Sequence, residues 1–364
     1  MIIHVFTANR YQLVPSISRG FVTTYKDDAT HVLLLYGNKA LDRQKYVELY
    51  EKEGFRDFVF CISLVEYMSV IWRYRKSSVL FHAGSYHWFL IAWLLGCKKM
   101  NWVCWGSGAA SGKSFKSRLS LPYKRFLYSR FNSIVTLMDS DKESIIRDFH
   151  VSPSKIETLS YMSTEKKTQL DDLKEELMLQ NKVNPKPIVL LGNNPSCMSS
   201  YMEILPRLKH YQGKIVVKCM LNYSLQKDGK YESLLNLGRS IFGNDFIPSE
   251  EFYEDKVEYI KYMNECDVYI CPVRRQSGLG AINYCLSLGK KIYITGKNLE
   301  WIRSAYNAIV FDADEIQKTL PYEDFLKDLP EKDKWHNYNS VMNRRFSQVE
   351  KWHKYLTKLD SDGL

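Results

Sequence analysis

The feature that most restricts the fold of this chain is a recurrence of short β-rich apolar runs separated by stretches of helical spacing. In the first half the runs are IIHVFT, HVLLLYG, RDFVFCIS, SVLFHAG, MNWVCWG and NSIVTLMD, with segments such as DRQKYVELYEKEG and SLVEYMSVIWRYRKS between them. Strands spaced this way, with a helix in each gap, build βαβ units around a parallel sheet. The pattern predicts an α/β domain over residues 1–165. Between residues 164 and 187 the chain changes to TEKKTQLDDLKEELMLQNKVNPKP, a charged helix and a Pro-containing extended piece suited to a linker. A second series follows over 186–336: PIVLLGNN, GKIVVKCML, FIPS, CDVYICP, KKIYITGK and NAIVFD. The reading is two doubly wound, Rossmann-like domains facing each other across a cleft, with a last helix, 337–364, packing back on the first. A length of 364 residues suits two such cores better than one.

Composition narrows the classes further. Hydrophobic residues at 45% and charged residues at 25% exclude extended disorder. The eight cysteines are scattered with no CxxC pair and no Cys/His spacing of a zinc site, which predicts reduced thiols, a cytoplasmic setting and no metal. The start, MIIHVFTANRYQ, lacks the pattern of a signal peptide. The longest apolar run, Trp88 to Cys97, is about half of the roughly 20 residues that cross a bilayer, so it reads as a buried helix. A formal charge of +10 asks for an anionic partner: a nucleotide, a phospholipid surface or a nucleic acid. Aromatic residues at 14% suit sugar stacking or an interfacial surface.

In open α/β sheets ligands bind beyond the carboxyl ends of the strands, so the residues just after each run carry the chemistry. After PIVLL come Gly192, Asn193, Asn194 and Ser196, which offer backbone N–H groups and small polar side chains to a phosphate, or form an ordinary capped turn. After VYICP come Arg274, Arg275, Gln276, Ser277, Gly278 and Gly280, leading into a helix. Guanidiniums beside a helix amino end are suited to a diphosphate; the plainer alternative is a solvent-facing Arg pair before a turn. FHAGSYHW supplies His82 and His87, of which His82 is the candidate general base or else a structural histidine. The stretch GSGAASGKS misses the Walker register, because the position five before Gly112 is Ser107, and a P-loop is not predicted.

Residues 113–130 interleave Lys113, Lys116, Arg118, Lys124, Arg125 and Arg130 with apolar and aromatic side chains. Such a segment fits an anionic membrane surface, or a core helix with a solvated basic face, with Pro122 interrupting any single long helix. No RRM, KH or helix-turn-helix signature accompanies it, so nucleic acid is not a predicted partner.

The tandem layout together with FHAG, VCWGSG, VLLGNN and CDVYICPVRRQSGLGAINYCLSLGKKIYITGKN resembles the TDP-N-acetylfucosamine:lipid II N-acetylfucosaminyltransferase family, GT-B enzymes that build enterobacterial common antigen. The resemblance runs from His82 to the region of Trp352. It implies transfer of a fucose-type deoxy-sugar from a nucleoside diphosphate to a lipid-linked or O-antigen-like glycan, without a metal cofactor, at the inner face of a bacterial inner membrane. It assigns Gly192, Asn193, Arg275, Gln276, Gly278 and Gly280 to the donor pocket, and His82, Gly84, Trp105 and Gly106 to the acceptor side. Phe246 and Ile247 are placed near the nucleobase by analogy of fold. Two departures stand out: Gly108 replaces an acidic residue after the Trp-Gly pair, and the Glu-x7-Glu motif common in retaining GT-B enzymes is missing, with Gln276 and Asn283 in that neighbourhood. Arg274 and Arg275 are expected to stabilise the departing diphosphate, with His82 as base and His87, Asp139 and Asp141 in reserve. The alternatives are a sugar-nucleotide epimerase of the same fold and, more distantly, a basic nucleic-acid-binding protein.

Overall fold

The structure is a computed structural model. It describes residues 1–7, 14–25, 27–36, 40–52, 54–55, 57–82, 86–109, 119–162, 167–180, 184–221, 227–251, 253, 255–317 and 320–361. The chain divides into two units: Met1–Lys166 with Arg345–Leu364, and Lys167–Arg344.

The first unit holds seven strands: β1 Ile2–Thr7, β2 His31–Tyr36, β3 Phe58–Cys61, β4 Ser78–His82, β5 Met100–Cys104, β6 Ser133–Thr136 and β7 Ile156–Thr158. They lie in the order β3-β2-β1-β4-β5-β6-β7, every pair parallel. Ile3 and Val5 enter one apolar cluster while Ile2 and Phe6 enter the other, so β1 is covered on both faces. That is why the strand reads as a continuous apolar run rather than an alternating one. The final helix, Glu331–Ser361, supplies the second cluster with Val349, Trp352, Tyr355, Leu356 and Leu359. Trp352 is fully buried and its Nε1 donates to the Ser160 carbonyl at 2.6 Å, while the Gln348 Oε1 accepts from the Ser160 N–H at 2.8 Å. Burying such a ring contributes about 2–3 kcal/mol and fixes this stretch to the first unit.

The second unit holds β8 Ile188–Leu191, β9 Val216–Met220, β10 Phe246–Ser249, β11 Val268–Cys271, β12 Lys291–Ile294 and β13 Phe311–Asp312, again all parallel. Their order, β10-β9-β8-β11-β12-β13, reverses direction between β8 and β11, as the first sheet does between β1 and β4. These reversals are the switch points at which open α/β sheets leave a crevice for ligand.

The charged helix read as part of a linker, Gln169–Leu179, belongs to the second unit. Thr168 and Asp171 form a capping box, the buried Asp171 pairs with Lys174 at 2.9 Å, and Met178 is buried close against Gly289. Its outward charges hide a seated inner face.

Candidate functional site in the second unit

Because β8 and β11 are neighbours, the loops after them meet. Gly192 adopts φ +85°, and a Cβ there would lie 2.2 Å from the Tyr201 ring, so only glycine permits the turn. The Tyr201 hydroxyl accepts from the N–H groups of Asn193 (2.9 Å) and Asn194 (3.0 Å) and donates to the Asn194 carbonyl (2.6 Å). The Gly192 N–H goes to the Ile270 carbonyl and the Ser196 N–H to Asn194 Oδ1. This corrects the expectation that the amides of this turn face a phosphate: their donors are used internally, and the turn contributes side chains instead.

Those side chains reach the second loop. Asn193 Nδ2 donates to Ser277 Oγ at 3.1 Å and Asn194 Nδ2 to the same oxygen at 3.4 Å, while Arg275 Nη2 donates to Ser196 Oγ at 3.1 Å. Gly278, at φ +70°, ends the loop and begins the helix Leu279–Ser287 without any side-chain cap. The first intrahelical bond reaching back to it comes from the Ile282 N–H. The N–H groups of Leu279, Gly280 and Ala281 therefore have no acceptor within the helix, and they carry its positive end. Arg275 stands exposed beside this terminus. An uncapped helix amino end next to a guanidinium is a receptor for anionic oxygen. The Oε1 of Gln276 and the Oδ1 of Asn283 are buried with no hydrogen-bond partner.

Arg274 is differently placed. Its Nη2 donates to both carboxylate oxygens of Asp314, at 3.1 and 2.9 Å, and Arg207 reaches the same carboxylate at 3.3 Å. Burial raises the Asp314 pKa, but the Thr295 hydroxyl and the two arginines outweigh it and hold the carboxyl below its ordinary value. Arg274 thus braces the loop after β11 against the segment after β13, with part of its charge already answered. Asn298, fully buried, completes the frame: its Nδ2 donates to the Ser277 carbonyl at 2.7 Å and its Oδ1 accepts from the Ser277 N–H. Tyr201, Asn298 and Asp314 are the residues that sequence reasoning missed. Only the ITGKN motif, which contains Asn298 after β12, carried a usable signal.

The nucleobase expectation is also corrected. Phe246 is the first residue of β10, at the amino end of an edge strand, and is buried against Gly238. Ile247 follows it, half-exposed. The carboxyl end, where ligand would sit, is at Ser249 instead.

In the first unit His82 closes β4 at the switch point, but its ring is only 1% exposed, stacked on Phe6 at 4.1 Å and sharing a hydrogen bond with His4 at 3.1 Å. Burial depresses its pKa to about 3. The structure encloses the ring and leaves Nδ1 without a hydrogen-bond partner, which fits the structural alternative for His82 rather than a base open to an acceptor. His87 is exposed on the helix Tyr86–Leu94, and Asp139 and Asp141 occupy the first turn of the helix Asp139–Phe149, Asp141 being buried. Trp105 donates through Nε1 to the Tyr161 hydroxyl, and Gly106 opens the short helix Gly106–Ala109. A Cβ at Gly108 would lie 2.7 Å from the Trp102 ring, which accounts for glycine where the resembling family has a carboxylate. Gly84, Lys113, Lys116 and Arg118 lie outside the described residues. Among the described residues no group of three His, Cys, Asp or Glu side chains is arranged to hold a metal ion.

Two parallel α/β units of this topology have the GT-B fold. The model of the family described as 4-alpha-L-fucosyltransferase, glycosyl transferase group 56, matches residues 61–358, and the chain belongs to that family. Among solved structures it is similar to a glycosyltransferase from Rickettsia africae, at 12% identity over 98% of both chains with a TM-score of 0.68. Anabaena HepE in complex with UDP and glucose is similar at 11% identity, covering 98% of this chain and 99% of that one, with a TM-score of 0.69. The UDP-GlcNAc 2-epimerase of Neisseria meningitidis follows the same fold more loosely, at 12% identity over 98% and 99% of the chains with a TM-score of 0.54. No individual curated protein matches the chain in sequence.

Proposed function

We propose that this fucosyltransferase-family enzyme moves a fucose or N-acetylfucosamine type sugar from a nucleoside diphosphate to a hydroxyl of a lipid-linked or surface-polysaccharide glycan. The observation that carries the reading is the uncapped helix end at Gly278 and Leu279 with Arg275 beside it, at the switch point between β8 and β11. In transfer, the acceptor oxygen bonds to the anomeric carbon as the bond from that carbon to the diphosphate oxygen breaks. The leaving oxygen takes the electron pair, and the growing charge falls where Arg275 and the amides of Leu279, Gly280 and Ala281 are already oriented. That division of labour needs no metal ion. HepE is described with UDP and with UDP-glucose, which supports a nucleotide-sugar donor here.

A peripheral place on an anionic membrane is part of the same reading. Among the described residues no helix is long and apolar enough to cross a membrane. The helix Leu64–Arg73, however, exposes Leu64, Val65, Met68 and Trp72, and the neighbouring segments add Leu94, Leu119 and Phe126. Arg75 lies over the Trp72 ring at 3.9 Å and Arg130 over Phe126 at 4.6 Å. Residues 62–76, 86–99 and 119–132 together hold eight Lys and Arg against the single carboxylate of Glu66. Aromatic rings rimmed by cations suit a lipid headgroup layer.

The test is thermal stability against UDP, TDP, GDP and their sugars, followed by product analysis with and without glycan acceptor. A nucleotide that binds the folded state raises Tm in a concentration-dependent way. Transfer requiring acceptor is the expected result. Consumption of donor without acceptor establishes the epimerase instead, and the absence of any nucleotide-dependent shift defeats the donor site.

A further inference from the structure

Ser277 stands two residues before the helix Leu279–Ser287, and each of its polar groups is held by the protein. Its hydroxyl accepts from Asn193 and Asn194, in the loop after β8. Its N–H donates to Asn298 Oδ1 at 3.4 Å and its carbonyl accepts from Asn298 Nδ2 at 2.7 Å, so a single side chain after β12 takes both backbone groups. β12 pairs with β11, Ile294 lying opposite Cys271, and the two loops leave neighbouring strand ends. There the backbones nearly touch. A Cβ on Gly296, at φ +59°, would lie 2.5 Å from the Arg274 carbonyl oxygen, and the Lys297 N–H donates to that oxygen at 3.0 Å. Asn298 is fully buried in the first turn of the helix Gly296–Tyr306, where an apolar side chain would have no amide to desolvate.

We propose that Asn298 is a positioning residue for the donor diphosphate: by holding both backbone groups of Ser277, it sets the direction in which the next helix presents its first amides. This deepens the transferase reading and rests on it for the identity of the ligand. The N–H of a residue turns with φ and its carbonyl with ψ, so two bonds to one planar amide fix Ser277 at both. The carbonyl also belongs to the peptide plane shared with Gly278. That glycine has φ +70° and, lacking a Cβ, does little by itself to restrict the turn. The clamped plane upstream therefore decides where Leu279, Gly280 and Ala281 point their N–H groups, which have no acceptor within the helix. Arg275, two residues before Ser277, rides on the same segment. Among side chains of this size an amide offers the donor and the acceptor together, whereas a carboxylate only accepts.

That difference gives the residue a signature that packing alone would not have. Asn298→Asp keeps the shape and replaces the Nδ2 donor by oxygen. While the introduced carboxyl is ionised, one oxygen still accepts from the Ser277 N–H, but the other faces the Ser277 carbonyl, acceptor against acceptor. Once protonated, its O–H donates to that carbonyl and the two-point contact returns. Burial and the opposing carbonyl both raise its pKa above the ordinary value of about 3.9, so the change falls at a higher pH than for an exposed carboxyl. The charged residues of the joined segments are Arg274, Arg275 and Lys297, with Asp314 paired to Arg274. They are the same in the native chain and the variant, and the comparison between the two removes their own effect on binding.

The experiment is calorimetric titration of the full chain with UDP, TDP and GDP at pH 8.5 and pH 6, for the native protein, Asn298→Asp and Asn298→Ala. At pH 8.5 both variants should lose about 10-fold or more in affinity, the scale of a misplaced binding group. At pH 6 the Asp variant should return toward the native value while the Ala variant does not. Taking each variant as a ratio to the native chain at the same pH cancels the titration of the nucleotide's own phosphate. Native affinity at pH 8.5 with a lowered Tm would make Asn298 a residue of stability alone and overturn the proposal, as would a loss in Asn298→Asp that persists at pH 6. If that variant does not fold, native-like affinity in Asn298→Ala overturns it equally. A second readout needs no nucleotide: in selectively ¹⁵N-labelled Asn298→Asp, the Leu279, Gly280 and Ala281 amide signals should move between the two pH values beyond any change in the native chain. Moving amides in a protein that binds none of the three nucleotides would leave the positioning role standing and reject the donor site. Amides that stay in place would reject the positioning role itself.

Discussion

Asn193 Nδ2 donates to Ser277 Oγ across 3.1 Å, and the residue that follows Ser277 comes so near that a Cβ on Gly278 would lie 2.8 Å from Asn193 Cγ. The loops after β8 and β11 are therefore fitted together through a glycine held at φ +70°. Gly278→Ala should cost about 1–3 kcal/mol in denaturant unfolding, through backbone strain and displacement of Asn193. Gly280→Ala is the opposite case. Nothing lies within 4 Å of its missing Cβ and it sits in the first turn of a helix, so the free enzyme should gain about 0.5–1 kcal/mol. If diphosphate rests on that turn, the added methyl should nonetheless weaken UDP binding, as calorimetric titration would show.

The two adjacent arginines should separate in the same titration. Arg275 is exposed and donates to Ser196 Oγ, Cys197 Sγ and the Gln276 carbonyl, so Arg275→Ala should lower nucleoside diphosphate affinity by about 10- to 100-fold, the range of a charged hydrogen bond, with Tm little changed. Arg274 is committed to Asp314, and Arg274→Ala should loosen the loop frame with a smaller effect on affinity. Equal losses at the two positions would mean that both touch the phosphates.

How far these relationships were legible in the sequence depends on distance along the chain. Both strand series were visible because strands covered on both faces are uninterrupted apolar runs, as at Ile2–Phe6. β7, three residues at a sheet edge, is too short to leave such a mark. The helix Gln169–Leu179 looked solvated because its sequence shows many charges, while the burial of Asp171 and Met178 is decided by partners elsewhere in the second unit. The Arg-Gln-Ser-Gly-Leu-Gly stretch marked the uncapped helix start at Gly278 through local chemistry alone. Asp314 lies 40 positions beyond Arg274, and His4 lies 78 before His82, so neither pairing leaves a local pattern. Phe246 was misjudged because an aromatic beside a strand reads alike whether it begins the strand or follows it.

The exposed stripe on the helix Leu64–Arg73 makes a prediction that separates insertion from charge. Trp72→Glu with Val65→Glu should abolish co-sedimentation with vesicles of phosphatidylglycerol and phosphatidylethanolamine at any salt concentration. Lys124→Gln with Arg125→Gln should weaken it in a salt-dependent manner, each cation near the surface contributing about 1 kcal/mol. Transfer to a short water-soluble acceptor should survive all four substitutions. Undiminished vesicle binding by the double glutamate variant would place the membrane contact elsewhere.

Three buried histidines of the first sheet set the acid limit of stability, and the sign is fixed by the direction of their shifts. His4, His31 and His82 all have pKa values lowered on folding, to about 4 for His31 and about 3 for His82. The unfolded chain, with imidazoles near their ordinary value of about 6.5, binds more protons than the native state over the intervening range. Their neutral form is therefore fully favourable above about pH 6.5, and stability falls as the pH drops from there toward 4 and below. Each histidine steepens that fall by up to about 1.4 kcal/mol per pH unit while its folded form stays neutral. Urea unfolding at pH 7, 6 and 5 should show a loss steeper than one proton's worth, and His4→Phe should flatten the slope while leaving the pH 7 value near that of the native chain. A profile unchanged by that substitution would mean that the His4 imidazole is charged in the folded protein, contrary to the enclosure that β1, β2 and β4 impose on it.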